Sequence, residues 1–297
     1  MAIPEQYFKA GRIAARVREE VKELLRPGLS ILELCETVEE RITSLGGEPA
    51  FPCNVSINEV AAHNTAGPND DSKVGADDLV KVDIGVHVDG YIADTATTVA
   101  LNPKYEPLLK ATEEALNTGL AYVTPQTRTG MVGRQIEAIA KQRGFLPIKN
   151  LGGHNLEPYR IHGGKQIPNI WVGSTPLFSE GEVYAIEPFL TTSDGAGEVV
   201  EGGTVRIYSL ITRKKTSKDL NDLVNILWDR FRTLPFTTRW LTDVQKPEEI
   251  ERSLAKLEAL KIVRGYPVLV EGRGRPVAQF EHTVTPTSQG VLILTQL

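Results

Sequence analysis

Apolar residues recur every three or four positions along much of the N-terminal half, which is the spacing of one face of an α-helix. Pro27-Gly28 separates the first two such stretches, Gly46-Gly47 ends the second, and Gly144 ends the last. The pattern therefore predicts four amphipathic helices, over residues 5–26, 29–46, 103–121 and 129–143.

Other stretches are rich in β-branched and aromatic residues and read as extended chain. They cover residues 49–62, 78–101, 160–162, 181–190, 277–284 and 290–296. Residues 210–276 differ, because Leu220, Leu223, Leu227 and Phe231 follow helical spacing and Pro247 lies where a second helix would begin. We predict an α+β fold, a single domain over residues 1–297 interrupted by a helical, winged-helix-like insertion over residues 210–276.

The stretch "VDIGVHVDGYIADTATTV" predicts a β-hairpin that carries an Asp in each arm. Asp89-Gly90 is a strong signal for a two-residue turn. With that turn, Asp83 lies opposite Ala96, and Asp94 becomes its diagonal neighbour on the same face, about 7–8 Å away. One further loop residue would put the two carboxylates on opposite faces.

Two converging carboxylates in apolar surroundings need a cation or a shared proton. The hairpin alone leaves two interpretations open. One is a functional site. The other is a pair of satisfied structural Asp residues, or a salt bridge at the rim of a barrel.

Further polar residues interrupt apolar segments in the same way. His154 follows two glycines, and Glu187 and Glu281 lie in strand-like segments, where Glu is a poor choice. His63, His162 and His282 lie in or beside similar interruptions, whereas His87 precedes the turn and is expected at the surface. Taken singly, each histidine is more often structural. Together, two Asp, two Glu and one His suit a pair of divalent cations such as Mn, Fe, Co or Zn.

Composition narrows the class of protein. The formal net charge of −5 and the pI of about 5.7 argue against nucleic-acid or anionic-membrane binding by the whole surface. Cys35 and Cys53 provide no disulfide framework. The N-terminus lacks a signal-peptide core, and no apolar run approaches the length of a membrane span, so we expect a cytoplasmic protein without membrane contact.

The ordered set Asp83, Asp94, His154, Glu187 and Glu281 resembles the metal ligands of the pita-bread metallopeptidases. Within that family the chain is most similar to the type 2 methionine aminopeptidases, in an archaeal-like short form. The resemblance covers nearly the whole length. It rests on the segments "AFPCNVSINEVAAHNTA", "VDIGVHVDGYIADTATTV", "GGHNLEPYRIHGGKQIPN", "EGEVYAIEPF", "RTLPFTTRWL" and "AQFEHTV".

This resemblance implies a role for each ligand. Asp83 would hold one of two divalent ions (Co, Mn, Fe or Zn), and Asp94 and Glu281 would bridge both ions. His154 and Glu187 would complete the ligands of the other ion, and Glu187 would also transfer a proton during the reaction. His63 and His162 would hydrogen-bond the scissile peptide.

The resemblance also implies a pocket and a substrate. Phe51, Ile161, Pro235 and Tyr266 match positions around a methionine side chain. The implied activity is removal of the N-terminal methionine from nascent polypeptides when the second residue is small, by a monomeric enzyme. One part departs from the family pattern: residues 191–209 lack a histidine that some members place in the pocket.

The insertion is basic, with 14 Lys and Arg against 9 Asp and Glu, a net charge of +5 against −10 for the rest. Association with the ribosome through RNA is one interpretation. We favour a pocket wall with a solvated basic face, because Pro235 and Tyr266 already give the insertion a role in the pocket. Two rival functions remain, a proline-specific peptidase (aminopeptidase P or prolidase) and a metal-free binding protein of the same fold.

Overall fold

A computed structural model describes residues 3–297. Within this range six helices form: α1 (Glu5–Leu24), α2 (Ile31–Ser44), α3 (Glu106–Leu120), α4 (Gly130–Gln142), α5 (Lys218–Phe231) and α6 (Pro247–Ala259). The four N-terminal helices thus lie where apolar spacing predicts them. None of the helices in residues 3–297 combines the length and the apolar character that crossing a bilayer requires.

Sixteen strands form in the same range. They are β1 (Glu48–Pro49), β2 (Asn54–Ile57), β3 (Val60–Ala62), β4 (Leu79–Val88), β5 (Tyr91–Ala100), β6 (Phe145–Pro147), β7 (Gly152–Leu156), β8 (Gln166–Pro168), β9 (Val183–Ile186), β10 (Phe189–Thr192), β11 (Val199–Leu210), β12 (Phe236–Thr237), β13 (Val263–Glu271), β14 (Val277–Gln279), β15 (His282–Thr287) and β16 (Gly290–Ile293). Short 3₁₀ turns cover Pro103–Tyr105 and Thr238–Leu241.

The N-terminal half is built around the β4–β5 hairpin. β1 and β2 pair with the other edge of β4, and α1 packs across both arms of the hairpin. The apolar faces of α1 and α2 meet the inward residues of β4 in one core that includes Val17, Leu34, Val38, Val82 and Ile84. This burial of apolar area is what holds the hairpin in place.

In the other half, α3 and α4 pack together against strands that include β6, β8, β10 and β14. Its largest sheet has the order β16-β15-β9-β7-β8, and a smaller sheet has the order β14-β10-β6. A second core, which includes Leu108, Ile136, Phe178 and Tyr184, fills the space between the helices and these strands.

The segment predicted as an insertion contains α5, α6 and the strand β13. Leu223, Leu227, Leu254 and Leu257 bury their side chains in a core of their own, and Leu220 and Phe231 pack against it. Pro247 begins α6, as predicted. β13 pairs with β11 and also with β3, so this segment is tied to the strand that precedes His63.

Three strand predictions are wrong in detail. Residues 160–162 form no strand and belong to the turn between β7 and β8. The stretch 181–190 divides into β9 and β10 at Glu187-Pro188, where Pro188 has no N–H to continue a ladder. The stretch 277–284 divides into β14 and β15 on either side of Glu281.

His87 is a further correction, because it is buried rather than exposed. Its Nδ1 accepts a hydrogen bond from the backbone N–H of Gly90 (3.2 Å), and its Nε2 lies 3.4 Å from the Glu48 carboxylate. The ring therefore stabilises the hairpin turn through its hydrogen bond with Gly90.

Candidate metal centre and substrate cavity

The β4–β5 hairpin has the predicted register. Val88 pairs with Tyr91 and Asp83 with Ala96, while Asp94 pairs with Gly85. The two-residue turn thus confirms that Asp83 and Asp94 share one face of the hairpin. Both side chains point into the molecule, and Asp94 is only 4% exposed.

Three other predicted ligands reach the same place from separate strands. Glu281 follows β14, and its backbone N–H donates to the Ala96 carbonyl (3.1 Å), which anchors it to the hairpin. His154 lies on β7 and Glu187 follows the neighbouring strand β9. The structure therefore gathers all five predicted residues from three sheets.

The distances show how closely these side chains approach. His154 Nε2 lies 3.5 Å from Glu187 Oε1 and 3.8 Å from Asp94 Oδ2. One donor atom each from Asp94, His154 and Glu281 lies within 4.8 Å of the others, a spacing that fits a shared metal ion. All three residues are buried.

Gln279 belongs to the same cluster, although sequence reasoning missed it. Its Nε2 lies 3.3 Å from Asp83 Oδ2, 3.3 Å from Glu187 Oε2 and 3.5 Å from Glu281 Oε2. One amide group thus donates towards three carboxylates. The available signal was its position two residues before Glu281 in "VAQFEHTV", since alternate residues of extended chain share a face.

The cluster brings four buried carboxyl groups together with little positive charge nearby. Burial raises the pKa of Asp83 to about 6. Burial, followed by repulsion from the neighbouring carboxylates, raises the pKa values of Asp94, Glu187 and Glu281 well above their ordinary range. Burial lowers the pKa of His154 well below its usual value, so its ring is neutral at pH 7.

Several oxygens in the cluster have no hydrogen-bond partner within residues 3–297. They are Asp83 Oδ1, Asp94 Oδ1 and Glu281 Oε1, each buried. Buried carboxylates without donors are costly unless a cation takes their place. A neutral imidazole among ionisable oxygens is also the donor set that divalent transition metals accept. These residues therefore fit a divalent metal centre.

A cavity of about 520 Å³ opens beside this cluster. Asp83, Asp94, His154 and Glu187 line it, whereas Glu281 lies behind them and is 1% exposed. The four predicted pocket residues also line it, together with both further histidines: Phe51, Ile161, Pro235, Tyr266, His63 and His162. Phe51 fits there because Gly85 has no side chain, since a Cβ at Gly85 would lie 2.2 Å from the Phe51 ring.

His63 and His162 flank the cavity from different sides. His63 has a left-handed backbone (φ 62°), its Nδ1–H donates to the Pro267 carbonyl (3.3 Å), and its ring meets Tyr266 edge-on at 5.6 Å. The His162 ring lies 4.4 Å from that of His154. Burial lowers the pKa of His162 to about 4, with smaller contributions from the charges of His63 and Arg264. Burial also lowers the pKa of His63, so both rings are neutral near pH 7.

Residues 5–213 match Metallopeptidase family M24. The chain belongs to this family. A methionine aminopeptidase of Methanocaldococcus jannaschii is 42% identical over 293 residues, which cover 98% of this chain and 98% of that protein. Membership of a metallopeptidase family agrees with the buried cluster, whose carboxylates and imidazole could hold a metal ion.

Solved structures extend the M24 comparison to the fold. A methionine aminopeptidase from Thermotoga maritima aligns with a TM-score of 0.72 at 23% identity, over 100% of this chain and 98% of that one. A thermophilic Arx1 aligns with a TM-score of 0.86 at 18% identity, over 100% of this chain and 92% of that one. The fold is thus the pita-bread fold, as the resemblance implied.

Proposed function

We propose that this M24 peptidase removes the N-terminal methionine from nascent polypeptides when the second residue is small. The observation that carries the proposal is the juxtaposition of an apolar pocket with the carboxylate cluster in one cavity. A free N-terminal residue can place its side chain among Phe51, Ile161, Pro235 and Tyr266 while its amide lies beside Glu187. The name of the M. jannaschii relative, methionine aminopeptidase, supports the same activity.

We further infer that the enzyme is of type 2, in the short archaeal-like form. The match to M24 ends at residue 213, close to residue 210, where the predicted insertion begins. The separate core of α5 and α6 supports treating residues 210–276 as an insertion, winged-helix-like in pattern, within a single catalytic domain over residues 1–297. We expect it to act as a monomer in the cytoplasm.

We propose that the cluster holds two divalent ions, drawn from Co, Mn, Fe and Zn. Asp83 would hold one ion, Asp94 and Glu281 would bridge both, and His154 and Glu187 would complete the other. Four carboxylates offer enough negative charge to balance two divalent cations. When bound, such ions lower the pKa of water towards neutrality and polarise the carbonyl under attack.

The protein's own residues account for the remaining steps. Glu187, whose carboxylate lines the cavity, would accept the proton of the attacking water and pass it to the amine that leaves. Neutral His63 carries its proton on Nδ1, so its Nε2 would accept a hydrogen bond from the N–H of the scissile peptide, whereas neutral His162 would donate to the peptide oxygen and stabilise the oxyanion that develops there. The Nδ1–H bond of His63 to Pro267 leaves its Nε2 free to face the cavity.

The same arrangement explains the choice of substrate. An apolar and aromatic pocket suits the unbranched, polarisable methionine side chain. His63 and His162 crowd the space beyond it, which leaves little room for a second side chain. A large second residue would displace these rings, and a misplacement of about 1 Å can cost about 10²-fold in rate.

The test is kcat/KM on Met-Ala-Ser, Met-Leu-Ser and Leu-Ala-Ser. We expect Met-Ala-Ser to be cleaved at least about 10²-fold faster than Met-Leu-Ser, and Leu-Ala-Ser to be cleaved poorly. Equal rates on all three would make the enzyme a general aminopeptidase. Cleavage of Ala-Pro in preference to Met-Ala-Ser would favour a prolidase or aminopeptidase P.

A metal-free binding role is the second candidate, because the fold alone does not determine the activity and a chain not named as a peptidase, a thermophilic Arx1, shares it. The complete ligand set Asp83, Asp94, His154, Glu187 and Glu281 argues against it, since a binding protein needs no such charge cluster. Peptidase activity that EDTA abolishes and added metal restores would exclude it. We propose that the insertion serves as a pocket wall with a solvated basic face rather than as a contact for ribosomal RNA.

A further inference from the structure

We propose that Arg264 makes the enzyme prefer substrates with an acidic side chain at the third or fourth residue. The inference deepens the proposed function and rests on it. It concerns the part of the peptide that leaves the cavity, beyond the methionine and the small second residue.

Three cationic side chains line the cavity, and two of them are already neutralised. Lys149 Nζ lies 2.7 Å from Glu198, and Lys165 pairs with Glu182 while also donating to Ser179. Arg264 is exposed and has no carboxylate within 4.0 Å among residues 3–297. It is therefore the cation of this cavity that remains available to a ligand.

The position of Arg264 is fixed by the strand that carries it. Arg264 and Tyr266 are alternate residues of β13 and share a face, and the guanidinium carbon lies 5.1 Å from the centre of the Tyr266 ring. The Tyr266 hydroxyl is held 3.0 Å from Ser209 Oγ. Stacking on a restrained ring lowers the entropy that Arg264 loses on binding a partner.

Arg264 lies on the path of the peptide after the scissile bond. Tyr266 borders both the methionine pocket and His63, and the positive charge of Arg264 contributes to the lowered pKa values of His63 and His162. We therefore place the residues after the scissile bond along this wall, because Arg264 lines the cavity next to Tyr266.

The chemistry of the guanidinium selects the partner. Its planar donors match a carboxylate, with which they form two parallel hydrogen bonds. Among residues 3–297, the acidic side chains that line the cavity are Asp83, Asp94 and Glu187, which belong to the proposed metal cluster and are not available to a cationic side chain of the substrate. Lys or Arg in the same part of the substrate would be repelled by Arg264.

The experiment compares peptides that differ at one position and carry an amidated C-terminus, so that no terminal carboxylate competes. They are Met-Ala-Asp-Gly, Met-Ala-Asn-Gly and Met-Ala-Lys-Gly, with Met-Ala-Gly-Asp and Met-Ala-Gly-Asn for the fourth residue. We expect kcat/KM for the Asp peptide to exceed that for its Asn partner about 2- to 5-fold, mainly through KM, as for an exposed ion pair. The ratio should approach one in about 1 M NaCl.

Charge variants then assign the effect to Arg264. Arg264→Met should bring the Asp-to-Asn ratio to about one, and Arg264→Glu should reverse the preference in favour of the Lys peptide. Arg252→Met removes the same charge from α6, outside the cavity, and should keep the wild-type ratio. An unchanged ratio in Arg264→Met, or an equal loss on every peptide, would overturn the inference.

The two levels of failure are distinguishable. If the wild-type enzyme cleaves the Asp and Asn peptides equally, the role of Arg264 falls and the proposed function stands. If it cleaves none of the peptides with its metal restored, the proposed function falls and the role of Arg264 falls with it.

Discussion

His63 adopts a left-handed backbone conformation, which is uncommon for residues other than glycine, and it does so at the wall of the cavity. Outside glycine, such a conformation costs free energy, less so for Asn, Asp and His, and it persists where the surroundings favour it. Here the Nδ1–H bond to Pro267 and the edge contact with Tyr266 impose it. The result is an imidazole held in one orientation without being part of the carboxylate cluster.

The first prediction concerns this imidazole. His63→Ala should lower kcat about 10²- to 10³-fold, the size of loss that follows removal of one hydrogen bond made in the transition state, while metal content stays at the wild-type level. The measurements are steady-state kinetics on Met-Ala-Ser and metal analysis of the purified protein.

His63→Asn serves as the matched variant, because Asn tolerates the left-handed backbone. A loss of kcat shared by both variants belongs to the missing ring rather than to backbone rearrangement. Normal kcat in His63→Asn, or loss of metal in either variant, would contradict the assignment of His63 to the substrate.

Some residues of the site could be predicted from the sequence and others could not, for a physical reason. A two-residue turn sets the register of a hairpin, so the approach of Asp83 and Asp94 follows from local chain geometry. Gln279 reaches Asp83 across 196 positions, and Arg264 is placed by the pairing of β13 with β11, where it lies opposite Ser209. Local pattern carries no information on such contacts, which is why both residues were missed.

At the scale of elements, the insertion is joined to the N-terminal half by a buried polar contact. Arg239 makes two hydrogen bonds with the Glu39 carboxylate of α2, and Trp240 Nε1 donates to the same group (2.8 Å). The backbone N–H of Cys53 donates to Glu39 as well (3.0 Å). One carboxylate thus fixes α2, the chain beside Phe51 and the chain after Pro235.

The second prediction follows from this contact. Glu39→Gln leaves the Arg239 charge buried without its partner, which typically costs about 3–5 kcal/mol when one side of a buried pair is removed. Because Phe51 and Pro235 lie on the two segments that it joins, KM for Met-Ala-Ser should rise too. Chemical denaturation of the metal-loaded protein and steady-state kinetics provide the two measurements.

Glu40→Gln is the natural control, since Glu40 is the next residue of α2 and is exposed. The same change of charge there should leave both stability and KM close to the wild-type values. If the two variants are equally stable, Glu39 does not hold the insertion in place.

Element boundaries show where pattern reasoning loses accuracy. Helices with a clear apolar face and Pro or Gly at their ends, such as α2 and α4, were predicted to within a few residues. Strands were predicted too long at Glu187 and Glu281, because both acids occupy breaks between strands rather than positions within them. The breaks free each side chain to turn towards the cluster, so the error coincides with the site.

At the scale of the whole molecule, folding buries the four carboxyl groups of the proposed metal centre and thereby disfavours their charged forms. Four carboxylates have pKa values raised above those of the unfolded chain, so between the two values the folded protein holds more protons than the unfolded one. Their contribution to stability is therefore lost as pH rises through the folded-state pKa values. For Asp83 that window ends at about pH 6, and for the other three it extends higher.

The histidines work in the opposite direction. His63, His87, His154, His162 and His282 all have lowered pKa values, so they favour folding above their unfolded pKa of about 6.5 and oppose it below. A simple pH scan of the metal-free protein would mix the two effects. Comparison with a variant that keeps all five histidines separates them.

The third prediction makes that comparison with Glu281→Gln, which removes one buried charge and keeps a similar shape. Without metal, the variant should have a higher Tm than the wild type, and the difference should grow from pH 5 to pH 8 as the wild-type carboxylates ionise. One pKa unit corresponds to about 1.4 kcal/mol, or roughly 2–4 °C in Tm.

With metal added, the order should reverse, because a ligand that binds only the folded protein stabilises it and Glu281→Gln binds metal weakly. Glu40→Gln controls for the loss of one acidic side chain at the surface. A wild-type protein that is more stable than Glu281→Gln at pH 8 without metal would show that the cluster is balanced by something other than a cation.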